Sequence, residues 1–253
     1  MQITFLGSGT SQGVPVITCT CETCLSDDSR DKRLRSSILV EISDFVFVID
    51  TGPDFRQQML RENVKRLDAV IFTHEHKDHI AGLDDIRAYN FMQHCAMDVY
   101  ARASVNRIIK KEFNYAFCKE KYPGIPQIVQ HDITNHAFKI KDVEILPIEA
   151  RHYMLKIFGY RIGNFAYLTD ASDITPKEKK KLKGLEVLVV NALRCKAHYS
   201  HYNLEQALNL ISEVKPEKAY LTHISHLMGK HKDIEKLLPD HVHFAYDGLK
   251  INV

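Results

Sequence analysis

Apolar residues recur along this chain in short bursts separated by polar turns, and the bursts follow two periods. Runs at 3–6, 38–42, 45–49, 69–72, 143–148, 158–162, 166–168, 187–190 and 219–221 are strand-like in length and rich in Ile, Val, Leu and Phe. Runs 38–42 and 45–49 are separated only by Ser43-Asp44, which predicts a hairpin. Helical segments are predicted at 54–63, 84–94, 103–112, 175–183, 203–214 and 230–238, with Asp54, Ser104, Thr175 and Asn203 as N-caps. Asp247-Gly248 reads as a turn. The β-rich opening followed by strand–helix alternation predicts one α/β domain over residues 1–253, with two sheets flanked by helices. Two stretches interrupt the pattern. One is the polar segment 18–36; the other is 113–127, with Tyr115, Phe117, Tyr122, Pro123, Gly124 and Pro126, a candidate lid.

Composition narrows the class without naming a chemistry. With 253 residues, 45% hydrophobic and 26% charged, the chain can bury a core without staples. A formal charge of +2 neither demands nor excludes a nucleic-acid partner. The basic run Lys177, Lys179, Lys180, Lys181 and Lys183 reads as a solvated helix face. Runs such as 45–49 and 187–190 are too short to span a bilayer, so no membrane partner is expected. The first residues lead straight into Gly7-Ser8-Gly9-Thr10 without the pattern of a targeting segment, and the expected location is cytoplasmic. There, the three cysteines in Cys19-Thr20-Cys21-Glu22-Thr23-Cys24 read as metal ligands rather than disulfide partners. Cys95, Cys118 and Cys195 are expected to be buried or incidental thiols.

The densest chemistry is Thr73-His74-Glu75-His76-Lys77-Asp78-His79, directly after the apolar run 69–72. His74 and His76 are two apart, so in extended backbone they face the same way and can share one metal. Asp78 and His79 lie past the bend, where they can face a second. Imidazole and carboxylate donors suit Zn, Mn or Fe.

With this loop the chain resembles the metallo-β-lactamase superfamily, and further motifs fall in that family's order. They are Asp50 after 45–49, His152 after 143–148, Asp170 in Tyr167-Leu168-Thr169-Asp170, and His223 in Tyr220-Leu221-Thr222-His223. The resemblance implies an αββα sandwich of two mixed β-sheets. It implies His74, His76 and His152 on one divalent metal, and Asp78, His79 and His223 on another. Asp170 would bridge them, and Asp50 would orient a ligand from behind. The metals would stand ~3.5–4 Å apart and share a hydroxide, with Asp78 counted also among the catalytic residues.

Three thiolates leave tetrahedral zinc one ligand short, and His226, three residues beyond His223, can reach across to Cys19, Cys21 and Cys24. Together with Phe5-Leu6-Gly7-Ser8-Gly9-Thr10-Ser11-Gln12-Gly13-Val14-Pro15, this resembles the PhnP branch, the phosphoribosyl cyclic phosphate phosphodiesterases, relatives of tRNase Z. The glycines are expected to bring backbone close to the metal centre. The branch carries a histidine ahead of a helix near the scissile phosphate. His201 in His198-Tyr199-Ser200-His201 matches it best, with His198 as runner-up, as general acid or charge partner. The resemblance thus implies a metal-dependent phosphodiesterase acting on a cyclic phosphate or small phosphodiester, and a homodimer. The competing readings are a tRNase Z-like 3′-processing nuclease and a non-catalytic metal- or nucleic-acid-binding module.

Overall fold

The computed structural model describes residues 1–118 and 122–253. Strands β1 (Gln2–Gly7), β2 (Ser37–Ile42), β3 (Phe45–Ile49), β4 (Ala69–Ile71), β5 (Met97–Arg102) and β6 (Ile128–Ile133) lie side by side in that order, antiparallel up to β3 and parallel from β3 to β6. The second sheet takes β7 (Phe138–Ile140), β8 (Val143–His152), β9 (Leu155–Ile162), β10 (Phe165–Leu168), β11 (Asp173–Ile174), β12 (Val187–Asn191), β13 (Lys218–Thr222) and β14 (Val242–Phe244). Within it β10, β12, β13 and β14 run parallel. β15 (Lys250–Asn252) crosses back to the outer side of β1.

Residue alternation explains the layering. In β2, Ile38 and Val40 face the space between the sheets, while Leu39 faces outward. In β12, Val187 and Val189 face inward, and Leu188 and Val190 pack under helices. Both faces of these strands are buried, which is why they read as unbroken apolar runs. Helices α1 (Phe55–Arg61), α2 (Lys77–Ile80), α3 (Arg87–Gln93) and α4 (Ala103–Glu112) belong to the first half of the chain, and α5 (Pro176–Lys179), α6 (Leu204–Val214) and α7 (His231–Ile234) to the second. Phe55, Met59, Val105 and Ile109 cover the outer face of the first sheet. Ala207, Leu210 and Ile211 of α6 cover the outer face of the second. The result is the expected helix–sheet–sheet–helix sandwich.

Two caps behave as expected. Asn203 forms a capping box with Gln206, and the Thr175 side chain accepts from the Glu178 N–H. Two do not. Asp54 spends its carboxylate on Arg35, accepting from the backbone N–H at 2.8 Å and pairing with the guanidinium at 3.1 Å. Ser104 lies inside α4, because β5 runs directly into that helix at Arg102.

Segment 18–36 leaves the sheet and returns along the N-terminal loop through bridges Val14↔Arg33 and Gly9↔Arg35. The glycines of that loop admit this return and also bring backbone against the His223 segment, where Gly9 bridges Ile224 and Thr10 Oγ1 lies 3.3 Å from His223 Nε2. A Cβ on Gly7 would sit 1.9 Å from the Arg35 carbonyl oxygen, and one on Gly9 2.9 Å from Arg33 Cβ. Of the segment 113–127, residues 119–121 lie outside the described residues. Its first part is anchored: Phe113 and Ala116 are buried against α4, and the Tyr115 hydroxyl donates to Asp84. Cys95, Cys118 and Cys195 are exposed, not buried. In the lysine run, Lys179 pairs with Glu213 and Lys181 with Glu178, as befits a helix face. Among the described residues no helix is long and apolar enough to cross a membrane.

Candidate metal centre

The parallel strands of both sheets end on one side of the sandwich, where open α/β sheets bind ligands. Asp50 follows β3, His74 to His79 follow β4, His152 ends β8, Asp170 follows β10 and His223 follows β13. Asp50, Asp170 and His223 have φ of 67°, 60° and 56°. A side chain in this left-handed region costs roughly 1 kcal/mol or more, so three strand ends are bent against preference to turn these groups inward.

The donor atoms gather in groups. Those of His74, His76 and His152 lie within 4.8 Å of one another, as do those of Asp78, His79, Asp170 and His223. His79 Nε2 stands 3.1 Å from Asp78 and 3.3 Å from Asp170, and His223 Nε2 3.2 Å from Asp170. Every member is buried or partly buried except His76, which is exposed and marks the open side.

Hydrogen bonds fix which ring nitrogen of each buried histidine is bare. His79 Nδ1–H donates to Asp50 at 2.7 Å, and His152 Nδ1–H donates to the Ser200 carbonyl at 2.8 Å. Thr73 Oγ1 donates to Asp50, so it accepts from His74 Nδ1–H at 2.9 Å. Ser36 Oγ donates to the Gly9 carbonyl, so it accepts from His223 Nδ1–H at 3.2 Å. All four imidazoles therefore present an Nε2 lone pair to the centre, the tautomer a metal needs. Nε2 of His74 and of His79 is buried without a hydrogen-bond partner among the described residues. Such orphaned lone pairs are costly unless something electropositive meets them.

Charge points the same way. Burial alone would push His79 down, yet Asp78, Asp170 and Asp50 around it raise it well above the usual histidine range. Burial likewise opposes Asp170, but His223 and His79 hold it well below the usual carboxylate range. Burial lowers His74 strongly and His223 to about 3, so these rings stay neutral. Three carboxylates press positive charge onto His79 beside the neutral rings of His74 and His223, which makes a place for cations.

His201 differs from the four. Its Nε2 stands 3.1 Å from Asp170 Oδ1 in hydrogen-bonding geometry, which the Nε2 atoms of His79 and His223 lack at similar distances from their carboxylates, so it presents an N–H there, although its donor atom also groups with those of His152 and Asp170. Its ring stacks on His223 at 4.9 Å and meets His152 edge-on at 4.6 Å. His198 stands behind it, with Nδ1 3.3 Å from His201 Nδ1 and out of reach of the carboxylates.

Cys19, Cys21, Cys24 and His226 form the other gathering, with donor atoms within 4.8 Å of one another. His226 Nδ1 is 3.2 Å from Cys19 Sγ and 3.3 Å from Cys21 Sγ. The Cys24 backbone N–H and His226 lower Cys21 to about 6, giving thiolate character, while burial raises Cys24 to about 11. His226 opens a short helical turn three residues after His223, so the two gatherings share one segment of backbone.

The sequence did not single out Thr73, Ser36, Ser200 or Asn191. Thr73 and Ser36 hold His74 and His223, and the Ser200 carbonyl holds His152. The Asn191 side chain clamps both backbone groups of Ala171, at 2.7 and 3.0 Å, and so fixes the Asp170 turn. Only Thr73, beside the histidine loop, carried a positional signal.

A family model described as the beta-lactamase superfamily domain matches residues 46–224. A solved structure, "Crystal Structure of a New Diphosphatase from the PhnP Family", is 38% identical with a TM-score of 0.93, covering 100% of this chain and 97% of that one. An "Octanoyltransferase" of Porphyromonas gingivalis is 41% identical over 99% of this chain and 51% of its own length. A "Ribonuclease Z" of Prochlorococcus marinus is 29% identical over 64% of this chain and 49% of its own. The chain spans about half the length of the curated relatives it matches.

Proposed function

We propose, for a chain that belongs to the beta-lactamase superfamily and within it to the PhnP family, that it is a hydrolase of phosphodiester bonds with two divalent cations in its centre. Divalent-metal use follows from the fold and from the His/Asp clusters. His74, His76 and His152 would hold one cation, Asp78, His79 and His223 the other, and Asp170 both. Mn, Zn and Fe all suit this donor set. Cys19, Cys21, Cys24 and His226 would hold a structural zinc. The observation that carries the proposal is the set of four Nε2 lone pairs aimed at one space lined by Asp78 and Asp170.

When bound, such cations supply a water activated near neutral pH and neutralise phosphate oxygens. The chain's own residues do the rest. Asp50 and Thr73 lock the His79 and His74 rings from behind. His201 presents Nε2–H beside Asp170 and, when both ring nitrogens carry protons, would give that proton to the departing oxygen as the phosphorus–oxygen bond breaks, ending as the neutral ring. Substrates in view are a cyclic phosphate, a small linear diester, or the diphosphate linkage that the PhnP-family neighbour's name suggests.

The ribonuclease Z relatives favour a second reading, RNA 3′-end processing. The segment 113–127 is short and not notably basic, which places this reading second. Acyl transfer rests only on the name of a protein of which this chain covers 51%. We take the compartment to be the cytoplasm, where clustered thiols stay reduced.

The test is a matrix of metals against substrates. Protein stripped and reloaded with Mn, Zn or Fe is offered 2′,3′-cyclic nucleotides, linear diesters, dinucleoside diphosphates, precursor tRNA and an acyl ester, with metal content measured alongside. About three metals per chain and turnover of small phosphodiesters are expected. Turnover confined to the acyl ester or to tRNA, or no turnover under any loading, overturns the proposal. A His76→Ala variant that keeps full activity would point to a binding module instead.

A further inference from the structure

Beside the centre stands a group of side chains that the chemistry above does not use. Tyr153, Met154 and Tyr199 are 60%, 72% and 74% exposed, unusually open for such large apolar groups. The Tyr153 and Tyr199 rings meet edge-on, with centroids 5.5 Å apart at 83°. From Tyr199 a chain of rings leads inward. Tyr199 stacks on His198 at 4.6 Å, His198 lies 5.2 Å from His201, and His201 reaches His152 and His223.

The backbone holds this pair in place. Tyr153 follows His152 directly and occupies the two-residue turn between β8 and β9, where His152 pairs with Leu155. Its φ is 54°, a conformation that glycine or asparagine adopts readily and a bulky aromatic does not. The turn is braced, since Tyr153 N–H donates to Ser172 Oγ at 3.0 Å and Ser172 Oγ donates to the Arg151 carbonyl. Tyr199 lies between His198 and Ser200, whose carbonyl holds His152. Both tyrosines are thus tied to the segments that build the centre. The two-residue turn asks for positive φ at its first position, and filling that position with tyrosine rather than glycine or asparagine keeps an aromatic ring exposed beside the centre.

We propose that Tyr199 and Tyr153 form a stacking platform for a nucleobase, so that the substrate is a nucleoside phosphodiester with its phosphate in the metal centre. The inference rests on the phosphodiesterase reading and narrows its substrate class. A flat ring suits a tyrosine face, and stacking tolerates any base. The platform lies two ring steps from His201, 4.6 and 5.2 Å between successive centroids, which puts it beside the centre. The tyrosines act as binding residues and take no part in bond breaking.

Two measurements test this. The first compares hydrolysis of a 2′,3′-cyclic nucleotide with that of a base-free five-membered cyclic phosphate, in wild type, Tyr199→Ala, Tyr199→Phe and Tyr153→Ala. For the nucleotide, Tyr199→Ala should raise KM roughly tenfold with kcat within about twofold, the size of one base–aromatic stack. Tyr199→Phe should behave as wild type, and each alanine variant should lose clearly less on the base-free substrate than on the nucleotide. Equal effects on both substrates, or none on either, overturn the platform. The second measurement is AMP binding to the metal-loaded protein by calorimetry, which needs no turnover. A Tyr199→Ala Kd roughly tenfold weaker supports the platform even if no diester is cleaved, in which case only the phosphodiesterase reading falls. An unchanged Kd, or no AMP binding by wild type, overturns the platform.

Discussion

At the scale of single residues, His201 and the four buried histidines of the centre separate by tautomer. His74, His79, His152 and His223 each give Nδ1–H to the protein, whereas His201 turns Nε2–H toward Asp170. A proton donor to the leaving group matters most when that group is a poor one. His201→Ala should therefore lower kcat by about 10²–10⁴ for a substrate with an alkoxide leaving group. For a p-nitrophenolate leaving group, which departs without help, the loss should be far smaller. His198→Ala should change either rate only slightly. Steady-state rates with the two leaving groups check this, and equal losses on both would assign His201 to charge stabilisation rather than proton transfer. The motif residues were legible because each follows an apolar strand. Ser36 and Ser200 were not, because a hydroxyl or a carbonyl that orients a ring leaves no pattern in sequence.

At the scale of elements, the segment 18–36 is pinned between the N-terminal loop and α7. Asp31 accepts from the His231 N–H at 2.7 Å, and Arg33, fully buried, reaches the Ala245 carbonyl and His231 Nδ1 at 2.5 and 3.1 Å. Cys24→Ser should remove one zinc per chain while leaving the two active-site metals, as elemental analysis would show; loss of all three together would mean that the sites cannot form apart. Burial, helped by Arg33 and Arg30, lowers His231 to about 4, against about 6.5 in an unfolded chain. Its folded form thus binds fewer protons than its unfolded form across that window. Stability is full above about 6.5 and falls on acidification toward 4, by up to about 1.4 kcal/mol per pH unit from this group. Urea unfolding of wild type and His231→Gln at several pH values tests the slope, and a pH-independent difference between them would refute it. Element boundaries were legible where strands are buried on both faces, as in β3 and β12. They failed for β5, whose residues alternate between buried and half-buried, for β6, at the sheet edge with Gln130, His131 and Asp132, and for the short β7, β11, β14 and β15, where neither run length nor periodicity stands out. The Asp54 and Ser104 caps failed because an ion pair and a direct strand-to-helix passage replaced them.

At the scale of the whole molecule, the centre lies across the seam between the two sheets. His74, His76, Asp78 and His79 come from the first sheet, and His152, Asp170 and His223 from the second. Direct links also cross the seam: the Tyr160 hydroxyl donates to the Phe72 carbonyl at 2.6 Å, and the Phe158 N–H to the Thr73 carbonyl at 3.1 Å. Cations held there would tie the halves together and would also relieve Asp50, Asp78 and Asp170 crowded about His79. The unfolded chain offers no such arrangement, so metal binding adds to folding stability by mass action. At free metal a thousandfold above Kd the gain is about 4 kcal/mol per site. Stripping the metals should lower the unfolding free energy by at least that much, and reloading should restore it. The Cys24→Ser variant separates the contributions, since its remaining loss on stripping belongs to the seam alone. If stripped wild type, verified metal-free, unfolds at the same denaturant concentration as loaded protein, the two sheets hold together without cations and the ligand assignment fails with them.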